Sequence, residues 1–368
     1  MTKFAGGYNY IANYTTIDAQ RYKIMDLTRT REKKESTVKI IARQLDLSVS
    51  TVYAILNDRE NCFAGKETKE KVKELAQKLG YKPNFIARSL KHGKTGTIGL
   101  IVSRIDDHTT LTRLDILTKQ AEEKGYHIFV GCSYDSTVRE EGLLEEFCCR
   151  QVEGIIVVPA RYETENKFLK ILVENNFPVV SYTEIPGVDV DFVSTDYFIG
   201  GYLAGQCLVK NGYKKIGFLS HVINTISMRR RFEGFKRALE DNGMDFSEER
   251  WVTFAKEDFE GIQAGCQLIL DRDIDAVFCT NDRIALIFMR VAMDRGKKIP
   301  QELGVIGFDD IEYGRLFPVT LTTVSQPLEQ ASKEIFALLF EKINDGHIEK
   351  HKIFLKPELI ERESTKRR

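Results

Sequence analysis

No apolar run in the 368 residues approaches the ~20 needed to cross a bilayer, and the N-terminus (MTKFAGGYNYIANYTTIDAQ) lacks the apolar core and small-residue cleavage site of a secretory signal. A cytoplasmic protein with no membrane partner is the expectation. The seven cysteines are odd in number, scattered and never spaced C-x-x-C, which argues against a disulfide scaffold and for free thiols held mostly in the core. Histidine offers no metal motif either: His347 and His351 in HIEKH have no third ligand and do not form H-E-x-x-H. GKTG at 93–96 lacks the leading glycine of a phosphate loop, because Arg88 stands in its place. Spacing supplies no carboxylate pair, nucleophile triad or metal cluster, so neither an enzyme nor a cofactor is expected.

What is present is an ordinary globular composition, 42% hydrophobic and 29% charged, in a chain long enough for two or three domains. A net charge of zero conceals an uneven distribution. Residues 37–94 carry twelve Lys/Arg against six Asp/Glu, residues 1–36 carry seven against four, and residues 95–368 are left with −9. A small basic segment joined to a large acidic one suggests that only the former meets a polyanion, although a lysine-rich solvated helix face would give the same charge.

Residues 1–36 have no sustained period and read as a mobile extension, or as an over-long reading ahead of Met25. From Ser36 to Gly80 the pattern is helical in short pieces. Val38, Ile41, Ala42 and Leu45 recur at helical spacing before Asp46-Leu47-Ser48 interrupts them. Ser48 is a good N-cap for a second helix over 49–57 that buries Val52, Ile55 and Leu56 and turns Val49, Ser50, Tyr53 and Ala54 outward. A third helix runs from near Glu67 to Gly80, a natural stop. Two short helices joined by a tight turn, with a third packed on them, make a helix-turn-helix unit whose second helix has the small first-turn residues that fit a major groove. Pro83 and Asn84 then open a short basic segment, NFIARSLKHGKTG, too short to be a stable helix alone.

From Thr97 the chain alternates strand-like apolar runs, TIGLIV, HIFVGC, GIIVVP, PVVSY, KIGFLS, AVFCT and GVIGF, with helix-length segments at 113–125, 138–150, 198–211, 229–242, 258–271 and 283–295. Such alternation builds parallel sheets covered on both faces, and about 270 residues suit two lobes better than one sheet. Ligands of such folds sit beyond the carboxyl ends of the strands, where Asn281-Asp282 and Asp309-Asp310 fall.

In shared order, LSVSTVYAILN (47–57), ETKEKVKELAQKLGYKPNFIARSLKHGKTGTIGLIV (67–102), VEGIIVVP (152–159), GYKKIGFLS (212–220), RRFEGFKRAL (230–239), TNDRIALIFMR (280–290), GVIGFDD (304–310), LTTVSQP (321–327) and PELIERES (357–364) resemble the LacI/GalR (lactose-repressor) family of bacterial transcription regulators. The resemblance spans residues 37 to 365. It implies an all-α helix-turn-helix DNA-binding headpiece at 37–82, a hinge helix and linker at 83–95, and an α/β core of two doubly wound parallel-sheet lobes at 96–365, like periplasmic sugar-binding proteins. It further implies a repressor, a homodimer on a pseudo-palindromic double-stranded operator, with a small-molecule, sugar-like effector between the lobes.

Carried over residue by residue, the resemblance assigns DNA contacts to Ser48, Val49, Ser50, Thr51, Tyr53, Ala54 and Asn57, and to Asn84, Arg88 and Leu90 in the hinge, Leu90 matching a minor-groove wedge. It assigns effector contacts to Thr183, Ser227, Arg231, Asn281, Asp309 and Gln326, whose donors and acceptors suit a polyol. Asp282 is expected to cap the following helix and Asp310 to serve the scaffold. Departures from the family pattern are also plain. Ala54 stands where an arginine is common, and Tyr53 replaces a commoner serine. Asp46 replaces a turn glycine, tolerable because Asp visits left-handed backbone more easily than most residues. SRIDDHTTLTRL (103–114) lacks the usual aromatic that packs on a ligand, and Thr183 stands for an aspartate, with Glu184 beside it. The polar 103–112 stretch therefore leaves open a core that binds a protein partner rather than a small ligand.

Overall fold

The computed structural model describes residues 37–56, 62–81, 94–160, 166–221, 225–256, 258–346 and 349–367. The chain divides into two compact units, the first ending at residue 88 and the second beginning at 89. The expected extension over 1–36 and most of the expected hinge segment over 83–95 lie outside the described residues.

In the first unit α1 (Thr37–Gln44), α2 (Val49–Leu56) and α3 (Lys66–Lys78) enclose a small core of Val38, Ile41, Ala42, Val52, Ile55, Val72 and Ala76. These residues recur three or four apart on each helix, so each helix turns one apolar stripe inward. The turn between α1 and α2 works as its sequence suggests. Asp46 takes a left-handed φ of 52°, and the Ser48 hydroxyl accepts from Thr51 N at 3.0 Å, capping α2. Leu56, expected in the core, is only half-buried.

The second unit holds two parallel sheets. The larger has β11 (Lys352–Leu355), β5 (Asp191–Thr195), β4 (Val179–Ser181), β3 (Gly154–Val157), β1 (Thr97–Val102) and β2 (His127–Cys132) in that spatial order. Its pairs are parallel, with Ile98 opposite Ile128 on one side and Gly154 on the other. The smaller has β7 (Trp251–Phe254), β6 (Ile216–His221), β8 (Ala276–Cys279) and β9 (Gly304–Ile306), with Phe218 paired to both Trp251 and Phe278. Central strands such as TIGLIV, GIIV and AVFC are buried along their whole length, which is why they are continuously apolar rather than alternating. A two-stranded antiparallel ribbon joins β10 (Thr323–Ser325) to β12 (Glu358–Ile360).

Around the larger sheet lie α4 (His108–Glu123), α5 (Thr137–Cys149), α6 (Lys167–Glu174) and α12 (Leu328–Asp345). Around the smaller lie α7 (Tyr197–Lys210), α8 (Ile226–Asp241), α9 (Phe259–Leu270) and α10 (Asp282–Asp294), with a single turn, α11 (Tyr313–Leu316), following β9. The chain passes between lobes at 196, at 326–327 and at 356–357. Helices α4 to α10 each begin at a side-chain cap, from Asp107, Ser136, Asn166, Asp196, Thr225, Asp258 and Asn281 respectively. These caps correct two expected starts: the helix placed at 113 begins at His108 behind Asp107, and that placed at 229 begins at Ile226 behind Thr225.

All seven cysteines are free, but only Cys207, Cys266 and Cys279 are buried, so the expectation of mostly core thiols is corrected. The other four sit at helix ends, strand edges and loops where one face of the residue meets solvent. Among the described residues no helix is long and apolar enough to cross a membrane, and no group of three His, Cys, Asp or Glu is placed to hold a metal ion.

Candidate functional site

Strand ends and helix starts converge between the two lobes on a cavity of about 480 Å³ with an adjoining recess of about 190 Å³. Parallel sheets place the carboxyl ends of their strands, and the N-termini of the helices that follow, on one side. Here the capping residues Asp107, Thr225 and Asn281 all line the cavity, so α4, α8 and α10 point their positive ends at it. All six residues expected to meet an effector, Thr183, Ser227, Arg231, Asn281, Asp309 and Gln326, line the recess.

The wall from the second lobe is built around Arg231 on α8. Its guanidinium is buried, lies 3.8 Å from the centre of the Phe308 ring and 4.9 Å from that of Tyr197, and donates through Nη1 to the Thr280 carbonyl at 2.6 Å. Nη2 stands 3.8 Å from Asp309 Oδ1, and Nε has no partner. Asp309 accepts from Gln326 Nε2 at 2.6 Å. Burial pushes the Asp309 carboxyl up to about 7, against the pull of Arg231 and with a further push from Asp107. Gln326 Oε1 in turn accepts from Thr195 Oγ1 at 3.0 Å and Tyr197 OH at 3.4 Å. Gln326 thus ties one inter-lobe crossover to another while its amide faces the recess.

Asn281, rather than Asp282, caps α10: its side chain accepts from Ile284 N at 2.8 Å. The expectation that Asp282 is the cap is corrected. Asp282 is the first residue inside the helix, fully buried, and accepts from Thr323 Oγ1 at 2.6 Å and Ile311 N at 2.9 Å; burial holds its carboxyl well above the usual range. Asp310 faces away from the cavity wall toward Arg315, at 2.9 Å, and Arg362. Ser227 bonds Thr225 Oγ1 at 3.1 Å, so both hydroxyls border the cavity at the start of α8.

On the first lobe the segment without an aromatic supplies charge instead. Ser103, Asp107 and Arg113 from residues 103–114 all line the recess, joined by Asp135 and Tyr182. Asp107 accepts from Thr110 N at 3.1 Å and from the Thr109 hydroxyl, while Asp135 accepts from Ser103 Oγ at 2.5 Å. Arg113 is buried with its guanidinium 4.6 Å from the centre of the Tyr182 ring, and Tyr182 OH is held by Ser332 Oγ at 2.8 Å. Thr183 follows Tyr182 into the recess, whereas Glu184 reaches Arg230 at 3.5 Å. Sequence reasoning missed Asp107, Arg113 and Asp135; a Ser-x-x-x-Asp-x-Thr-Thr stretch after the first strand, reading as a helix cap, was the available signal.

In the first unit, Val49 and Ser50 are exposed at the start of α2. Thr51 is half-buried with its hydroxyl 2.8 Å from that of Ser48, and Ala54 is also half-buried. Tyr53 packs partly on the helical core. Asn57, Asn84, Arg88 and Leu90 lie outside the described residues.

Two parallel-sheet lobes with a polar cavity at their crossovers, preceded in the chain by a helix-turn-helix unit, define a ligand-binding core of the periplasmic-binding-protein type. Residues 206–365 match the periplasmic binding protein-like domain family. The chain is 29% identical over 340 residues to the HTH-type transcriptional repressor PurR of Mannheimia succiniciproducens, covering 90% of this chain and 99% of that one. It superposes on a LacI-family transcriptional regulator from Silicibacter pomeroyi with a TM-score of 0.77 at 23% identity, covering 90% and 100% of the two chains. A periplasmic binding protein/LacI transcriptional regulator of Alkaliphilus metalliredigens, solved with D-xylulofuranose, matches at 27% identity with a TM-score of 0.65 over 73% of this chain and 98% of that one. Over nine-tenths of its length the chain is thus similar in sequence to a PurR repressor and in fold to a LacI-family transcriptional regulator.

Proposed function

We propose that this chain is a sequence-specific DNA-binding transcription regulator, a repressor, whose operator affinity is set by a small molecule held between the core lobes. The observation that carries the effector half is the convergence of Thr183, Ser227, Arg231, Asn281, Asp309 and Gln326, distant in sequence, on one recess. Residues 37–82 form the DNA-binding domain, 83–95 the hinge and linker, and 96–365 the effector and dimerisation core. The protein works in the cytoplasm and is not an enzyme.

The mechanism follows from where the ligand sits. A polyol bridging Arg231 and Asp309 on one lobe to Asp107 and Arg113 on the other favours whichever lobe arrangement presents both sets together. Gln326 makes the coupling direct, because it bonds Asp309 and the crossover residues Thr195 and Tyr197 at once. Ligand affinity must differ between the two arrangements for operator affinity to change. On the DNA side, Val49 and Ser50 sit in the first turn of α2, where small side chains let a helix approach base edges, and Tyr53 and Ala54 follow along it, with Asn57 the next contact in sequence. Ser48 and Thr51 fix the start of that helix. Asn84, Arg88 and Leu90 supply the hinge contacts.

One headpiece makes few contacts, so two copies are needed for a palindromic operator. Strand β2 favours a homodimer: it is the outer strand of its sheet and leaves Phe129 and Val130 exposed, with Leu111 on the preceding helix. The reading is tested by selecting duplexes from a random library with the purified chain, then titrating the winning site with a metabolite panel. A two-fold symmetric site whose affinity moves with one metabolite supports it. Operator binding that no metabolite changes, but that a co-purifying protein does, would favour a core that receives a protein partner.

A further inference from the structure

Arg113 is out of balance with its surroundings. The residue is 7% exposed, yet among the described residues it has no hydrogen bond and no ion pair within 4 Å, only the Tyr182 ring beneath it. A buried guanidinium with unused donors is costly unless something supplies acceptors. The carboxylates that share its cavity are engaged elsewhere. Asp107 is taken by the amide of Thr110 and the hydroxyls of Thr109 and Thr110, Asp135 by Ser103, and Asp309 by Gln326 with Arg231 at 3.8 Å. Arg231, on the other lobe, also has an unpartnered Nε. Three helices, α4, α8 and α10, each longer than eight residues, begin at caps that line the same cavity. Positive helix ends and planar guanidinium groups together suit an oxyanion, which accepts several charge-assisted bonds at once.

We propose that the effector is an acidic polyol, a sugar acid or sugar phosphate, whose oxyanion is held by Arg113 on the first lobe while its hydroxyls meet Arg231, Asn281, Asp309 and Gln326 on the second. This rests on the reading of the cavity as the effector site. Arg113 lines the cavity with the Tyr182 ring beneath it, and its unpaired planar donors suit a two-point fork on the oxyanion. A neutral sugar leaves that fork facing a hydroxyl. The charged group thereby replaces the aromatic platform missing from residues 103–114 as the first lobe's means of recognition.

The test is calorimetry on the full chain with D-gluconate, D-galacturonate, D-glucose 6-phosphate and D-ribose 5-phosphate, each against its neutral parent sugar. One acid should bind on the order of 30-fold more tightly than its parent. The carboxylate and phosphate arms tell which oxyanion the site takes. Arg113→Gln should erase that preference and Arg113→Lys should restore part of it, with thermal melts of both ligand-free variants confirming that they fold. A parent sugar that binds as tightly as its acid, failure of all four acids, or an acid preference that survives in Arg113→Gln overturns the proposal. A neutral sugar that binds and moves operator affinity would do so while leaving the regulator reading intact.

Discussion

Asp309 is unusual in backbone as well as in charge. Its φ of 114° and the 54° of Asp310 place two successive non-glycine residues in left-handed space at the end of the GVIGF strand. The strain turns the Asp309 carboxyl into the recess and sends Asp310 toward Arg362 and Arg315. Because burial raises the folded-state Asp309 carboxyl to about 7, the folded chain binds a proton that the unfolded chain has released above roughly pH 4. Its contribution to stability is therefore greatest below about pH 4 and is lost as pH rises through 7. Asp282, also raised, acts with the same sign. Thermal melts of the ligand-free chain should fall in midpoint between pH 5.5 and 8, and Asp309→Asn should make that fall shallower; an unchanged slope would contradict the assignment. Arg231→Ala should abolish ligand binding while operator affinity without ligand persists, measured by calorimetry and fluorescence anisotropy. The strand pattern put Asn281-Asp282 and Asp309-Asp310 at strand ends, but Thr183, Ser227, Arg231 and Gln326 were legible only through resemblance. Nothing local to Asn281 and Asp282 says which is the cap, because that depends on Asp282 meeting Thr323 from a strand 41 residues away.

At the scale of elements, legibility followed the length and continuity of apolar runs. TIGLIV and HIFVGC were readable to the residue, since each is one uninterrupted apolar strand. Strands β5, β7, β10 and β12 have three to five residues, too few for a period, and DFVST hides its burial behind polar side chains. Helix α12 escaped assignment although Ala331, Ile335, Phe336, Leu338 and Leu339 bury one face. Its sequence position after the last core strand masked its return to the first lobe. Helices α7 and α8 cross so closely that a methyl group on Gly201 would lie 1.9 Å from the Arg231 carbonyl oxygen, and one on Gly234 1.9 Å from that of Phe198. Gly201→Ala must push apart the helix that carries Arg231, at a cost of roughly 1–3 kcal/mol or more. We expect a lower melting temperature and weakened ligand binding; a fully native variant would refute the close crossing. In the headpiece, Ile41→Ala empties the centre of a seven-residue core and should cost roughly 2–5 kcal/mol. Operator binding should drop while the core's ligand affinity stays.

For the whole molecule, the charge division between a basic start and an acidic remainder was visible at once, whereas the surface proposed here for dimerisation was not. HIFVGC reads in sequence as one strand of a parallel sheet covered on both faces, and only the strand order reveals β2 as an edge, with Phe129 and Val130 exposed. Phe129→Glu should weaken self-association by an order of magnitude or more, seen by sedimentation, because it sets a charge in an interface without a partner. Operator affinity should fall with it, since two half-sites are read together. Control of DNA binding by occupancy of the cavity is read from the dissociation constant for a selected operator with and without a saturating cavity ligand. We predict a change of about tenfold or more in the wild-type chain, equivalent to roughly 1.4 kcal/mol of coupling, and none in Arg231→Ala. An operator affinity that stays constant while calorimetry shows the cavity filled would contradict it.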